Sequence, residues 1–117
     1  MANSILKDKS LAFALSIIKT NKQLQEDGEY VMSKQMLRCG TSIGANIAEA
    51  NMAQSLADFA SKMYIALKEA NETLYWLELL STSGYLNEAT AQKLTTDCHE
   101  LLKMLVSTTK KTAPRSN

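Results

Sequence analysis

Apolar residues recur at three- and four-residue spacing through nearly the whole 117-residue chain, and no proline interrupts them before Pro114. That combination narrows the fold more than any other feature. Spacing of this kind returns apolar side chains to one side of a helix. A proline inside such a run would remove an amide donor and break the helix. No strand-like alternation lasts, so the chain reads as all-α.

Turn signals divide the pattern into four helices. The first spans about 4–26, with Ile5, Ala12, Leu15 and Ile18 as its expected core stripe, widened by Leu11 and Phe13. Gly28 then suits a helix C-terminus, because glycine accepts positive φ without steric cost. The second spans about 30–51 on Met36, Gly40, Ile43, Ile47 and Ala50, broadened by Leu37, Gly44 and Ala48. The third opens at Ser55, a hydroxyl cap with Asp58 three residues later. It runs to Thr82 on a stripe of Phe59, Met63, Ala66, Ala70, Thr73, Leu77 and Leu80, before Gly84. The fourth opens at the cap residue Asn87 and carries Leu94, Cys98, Leu101, Leu102 and Leu105. Four helices with short connections predict an antiparallel up-down-up-down bundle. One domain is expected over residues 1–109, with 110–117 as a frayed tail.

Thirteen Lys+Arg against 12 Asp+Glu leave a net charge of +1, so no global field draws in nucleic acid or an anionic membrane. Cys39 and Cys98 stand apart and form no CxxC, which reads as reduced thiols in a cytoplasmic protein. No run approaches the roughly 20 apolar residues of a membrane span. The stretch SLAFALSII is followed by KTNKQ instead of a cleavage site, and Asp8 sits where a secretory leader is basic.

Residues 38–50, RCGTSIGANIAEA, hold two of the four glycines. A phosphate loop needs four residues between its glycines and then Lys and Ser/Thr. Here three intervene, and Ala45 and Asn46 follow. A di-metal carboxylate bundle needs Glu-x-x-His pairs. The single histidine, His99, has Thr96 three residues before it. Neither a Ser-His-Asp set nor a cysteine nucleophile can be placed. The expectation is a non-enzyme with no cofactor and no metal.

Gly40, Gly44 and Ala48 recur at four-residue steps. Each mid-helix glycine costs about 1 kcal/mol relative to alanine. Close approach of a second helix would offset that, and a kink at 40–42 is the alternative. Arg38 is the one arginine before the tail, and Glu69 and Glu72 share one side of the third helix. An Arg38–glutamate pair that fixes helix register is one reading. A solvated acidic edge is the other. Asn46 and Glu49 are further polar candidates for a register or interface role. Tyr64, Tyr75 and Trp76, with Met52 and Met63 nearby, suggest an outward apolar strip for self-association or a partner, since aromatics and Met are enriched at interface cores. Lys34 and Arg38, one turn apart, and Lys110, Lys111 and Arg115 are the basic candidates for RNA contact.

The segments YVMSKQMLRCGTSIGANIAEA and AQSLADFASKMYIALKEANETLYWLELL closely resemble a bacterial family of four helix bundle proteins, those encoded in intervening sequences of 23S ribosomal RNA genes. The resemblance extends from SLAFALSIIK to about residue 105. It implies a left-handed antiparallel four-helix bundle and a ring-like homo-oligomer, a pentamer. A distant relative, the accessory protein of diversity-generating retroelements, is a pentameric bundle that binds a reverse transcriptase and RNA. Ribosomal-intervening members often follow NIAE with a glycine and basic residues. This chain has Ala50, Asn51, Met52, Ala53 and Gln54 there, which weakens RNA contact at that point. Two functions follow as expectations: a non-catalytic homo-oligomeric scaffold or adaptor for a protein partner, and alternatively an RNA-associated accessory protein.

Overall fold

The computed structural model describes residues 2–112, with side chains described from Ile5 onward. Four helices fill that span: α1 (Ala2–Glu26), α2 (Met32–Ala50), α3 (Leu56–Thr82) and α4 (Glu88–Thr112). There are no strands among the described residues. α4 continues through Lys110 and Lys111, while Arg115 lies outside the described residues.

The helix ends follow local chemistry. Gly28 and Gly84 take φ of +89° and +87°, the left-handed turn that ends α1 and α3. The amide of Glu29 then donates to the Leu24 carbonyl, and that of Tyr85 to the Leu80 carbonyl. These bonds satisfy carbonyls that a helix end leaves open. Ser55 Oγ accepts from the Asp58 amide at 3.1 Å, and Asp58 reaches back to the Gln54 amide. Asn87 Oδ1 accepts from the Thr90 amide at 2.8 Å. The start of α2 has no such residue at its cap position, Val31. Glu29 serves instead: its carboxylate accepts from the amides of Val31, Met32 and Ser33. The expected boundary at Tyr30 therefore moves to Met32.

α1 lies against α2 and α4, and α3 against the same two neighbours. Gly40 on α2 meets Ile17 on α1, whereas Gly44 meets Ser10. Arg38 on α2 reaches Glu69 and Glu72 on α3, whereas Glu49 reaches Lys62. Leu86, just ahead of α4, bonds back to Leu80 near the end of α3, whereas Cys98 on α4 bonds to Ala70 on α3. In each pair residue numbers rise on one helix as they fall on the other, so consecutive helices run antiparallel.

The expected stripes of α2, α3 and α4 form the core. Met36, Cys39, Ile43, Ile47, Met63, Ala66, Ala70, Leu77, Leu80, Cys98 and Leu105 are all fully buried. The α1 stripe is corrected. Of its expected residues Phe13 is buried, whereas Ile5, Leu11, Ala12, Leu15 and Ile18 are exposed, and Leu6, Ile17 and Leu24 are buried in their place. α1 is apolar on two faces. Its inward face also holds Ser10, Thr20 and Asn21, and these polar residues mask it in the sequence.

Candidate functional site

The glycines of α2 sit where α1 presses closest. A Cβ on Gly40 would lie 2.9 Å from Ile17 Cγ1, and one on Gly44 would lie 3.3 Å from Ser10 Oγ. Both separations are shorter than the 3.5–4.0 Å of an ordinary carbon contact. α2 passes through residues 40–42 without a break in its helix. Ala48 does not join this seam and is exposed. Eight residues along a helix amount to a rotation of about 80° past two full turns, which carries Ala48 to the outer side.

The polar residues form a small network across α2 and α3. Arg38 Nη1 donates to Glu69 Oε2 at 3.3 Å, and Nη2 donates to Glu72 Oε2. Trp76 Nε1 donates to that same Glu72 oxygen at 2.9 Å. The Trp76 hydrogen bond holds the Glu72 carboxyl below the ordinary carboxylate range; burial pushes against it and Arg38 adds to the lowering. Tyr75 stands edge-on to Trp76 with ring centroids 5.0 Å apart. Asn46 is buried but stays on its own helix, donating to the carbonyl and hydroxyl of Ser42. Glu49 is exposed and pairs with Lys62 at 3.5 Å.

The expected aromatic strip is divided by the fold. Tyr64, Tyr75 and Met52 are exposed, while Trp76 is partly buried against the core. Met63 is corrected: it is fully buried, because it belongs to the inward heptad stripe of α3. Lys34, Lys110 and Lys111 are exposed and form no ion pair among the described residues.

The two thiols lie in the core. Burial pushes Cys98 up to about 12, and it donates to the Ala70 carbonyl at 3.3 Å. Burial also raises Cys39, which donates to the Met36 carbonyl. Thiols so protected are poor nucleophiles at neutral pH. Two grooves remain. One, of about 420 Å³, runs between α3 and α4 past Glu78, Glu88 and His99. The other, of about 550 Å³, opens between α1 and α4 beside Lys19, Asp27, Tyr85 and Lys93. No group of three or more His, Cys, Asp or Glu is placed to hold a metal among the described residues. No helix of the described residues is long and apolar enough to cross a membrane.

Sequence reasoning missed two features. Glu29, the carboxylate that starts α2, stands between the first two helices, and its only signal in the sequence is an acid four residues ahead of Ser33. The outward apolar face of α1 was mistaken for its core face.

These features define a small all-helical bundle whose polar groups fasten helices together and whose outer faces carry unpaired apolar side chains. The chain belongs to the 23S rRNA-intervening sequence protein family, whose model matches residues 2–107. The crystal structure of a protein of unknown function from the S23 ribosomal protein family of Bacteroides thetaiotaomicron is similar throughout. It shares 53% identity with a TM-score of 0.92, over 94% of this chain and 99% of that one. None of the curated proteins matches this chain.

Proposed function

We propose that this protein is a non-catalytic, homo-oligomeric scaffold or adaptor of the cytoplasm. Exposed apolar surface on two separate helices carries this reading. Tyr64 and Tyr75 are each 57% exposed on α3, and a leucine and isoleucine row stands on α1. Large apolar patches on a small protein mark surfaces for association. The charged residues beside them are engaged with one another across α2 and α3, not gathered around a cavity. The resemblance implies a ring of five copies. Light scattering on the purified chain tests self-association, and a monomer at tens of micromolar refutes it.

RNA contact is the second reading, favoured by the free Lys34, Lys110 and Lys111 and by the family's place within ribosomal RNA genes. Binding through phosphates weakens steeply as salt rises. Absence of RNA binding at low salt rejects this second reading and leaves the scaffold intact.

A further inference from the structure

The outer face of α1 has a pattern centred on one residue. Leu11, Leu15 and Ile18 are 59%, 60% and 48% exposed. Their spacing of four and three puts them in one row on the side of α1 away from Phe13 and Ile17. Seven residues before Leu15 stands Asp8, and seven residues after it stands Lys22, both exposed. Seven residues are close to two turns, so both charges continue the same row. Neither forms an ion pair among the described residues. The row therefore reads acid, leucine, leucine, isoleucine, base, with the exposed Lys19 along one edge, a turn beyond Leu15.

Such a row is complementary to a reversed copy of itself. Laid antiparallel with Leu15 against Leu15, Leu11 of one copy lies level with Ile18 of the other. Asp8 then lies level with Lys22, and the same pairing repeats at the other end. Laid parallel, the row would set Asp8 against Asp8 and Lys22 against Lys22. The charges favour the antiparallel arrangement and disfavour the parallel one. Two-fold contacts between identical chains have this self-complementary form. The exposed parts of the three apolar side chains come to roughly 300 Å² per copy, over a third of the roughly 800 Å² that each partner buries in a standard stable interface. A helix that is apolar on both faces also needs cover on both.

We propose that α1 is a two-fold pairing surface for a second copy of this chain, centred on Leu15 and closed at each end by an Asp8–Lys22 ion pair. The proposal rests on the self-association proposed above and adds a contact to it: a ring of five closes through head-to-tail contacts, so a two-fold α1 contact lies outside such a ring and joins one ring to another.

A two-fold contact sets the central residue beside its own copy. Copper-phenanthroline oxidation of Leu15→Cys is expected to yield a disulfide-linked dimer; Cys39 and Cys98 are buried and serve as the background in the wild type. Leu15→Glu is expected to halve the mass measured by light scattering, with helicity by circular dichroism unchanged. Lys22→Asp alone is expected to weaken pairing about tenfold, and the exchange Asp8→Lys with Lys22→Asp to restore it. An assembly that keeps its mass in Leu15→Glu and gives no Leu15→Cys cross-link overturns the pairing and leaves the scaffold reading standing. A wild type that is monomeric at tens of micromolar overturns both. Failure of the charge exchange to rescue Lys22→Asp overturns the antiparallel register.

Discussion

Replacing Gly40 by alanine adds one methyl carbon to α2 at the point where α1 is nearest. Two effects compete. Alanine is the better helix former by about 1 kcal/mol, so on an open helix the change would stabilise. Here the new carbon would lie 2.9 Å, 3.0 Å and 3.2 Å from three atoms of the Ile17 side chain. Ile17 is fully buried and cannot swing into solvent. The overlap against three atoms amounts to overpacking, which typically costs about 1–3 kcal/mol. The net expectation is a loss of about 1 kcal/mol, or roughly 3–5 °C in Tm for a domain of this size. Urea denaturation at fixed protomer concentration, followed by circular dichroism, measures it. Gly44→Ala is the comparison, because the atom nearest its new carbon is the Ser10 hydroxyl oxygen at 3.3 Å, so it is expected to cost less. A double-mutant cycle with Ile17→Val sharpens the test. Valine removes the Cδ1 atom from the overlap, so Ile17→Val should cost less in the Gly40→Ala background than its usual ~0.5–1.5 kcal/mol. A Gly40→Ala variant that gains the full ~1 kcal/mol of helix propensity, with no coupling to Ile17, would refute the close packing of α1 on α2.

Two further predictions concern the polar fastenings. Burial pushes the Glu29 carboxyl up, but the amides of Met32 and Ser33, the Ser33 hydroxyl and the Val31 amide outweigh it and hold it below its ordinary 4.5. The stabilisation is thus present above that value and is lost as the pH falls through the lower, folded-state value. Glu29→Gln is expected to cost about 1–2 kcal/mol at pH 7, and its difference from wild type to shrink on acidification; a constant difference down to pH 3 would count against the cap. Arg38→Met removes a half-exposed guanidinium from Glu69 and Glu72, so a loss of no more than ~1 kcal/mol is expected, with a shift in Trp76 fluorescence because Glu72 bridges the two. Unchanged melting and unchanged emission together would show that the network fixes nothing.

The number of helices and most of their ends were legible because caps and glycine turns are local chemistry. Ser55 with Asp58, Asn87, Gly28 and Gly84 each act within a few residues of their own position. The inward faces of α2, α3 and α4 were legible because each has a single apolar stripe. α1 was not, since two stripes compete on it and only packing decides which is inside. Of the polar candidates, the fold brings Arg38 to Glu69 and Glu72 but keeps Asn46 on its own helix. The side-chain length needed to cross between helices is not visible in sequence spacing. The carboxylate at Glu29 was missed because it replaces a cap residue from outside the helix it caps.

The seam between α1 and α4 has a consequence for how the molecule moves. It is the least extensive of the four helix pairings, and the ion pair of Lys9 with Glu100 spans it. Elsewhere along it the α1–α4 groove lies open. The other three seams join helices that are also neighbours in the chain. The bundle therefore behaves as a strip of four helices, rolled up and clasped along one edge. Unclasping that edge exposes the strip's inner surface while its three covalently linked seams stay shut. Partial opening of this kind would release amide protons along α1 and α4 for exchange before those of α2 and α3.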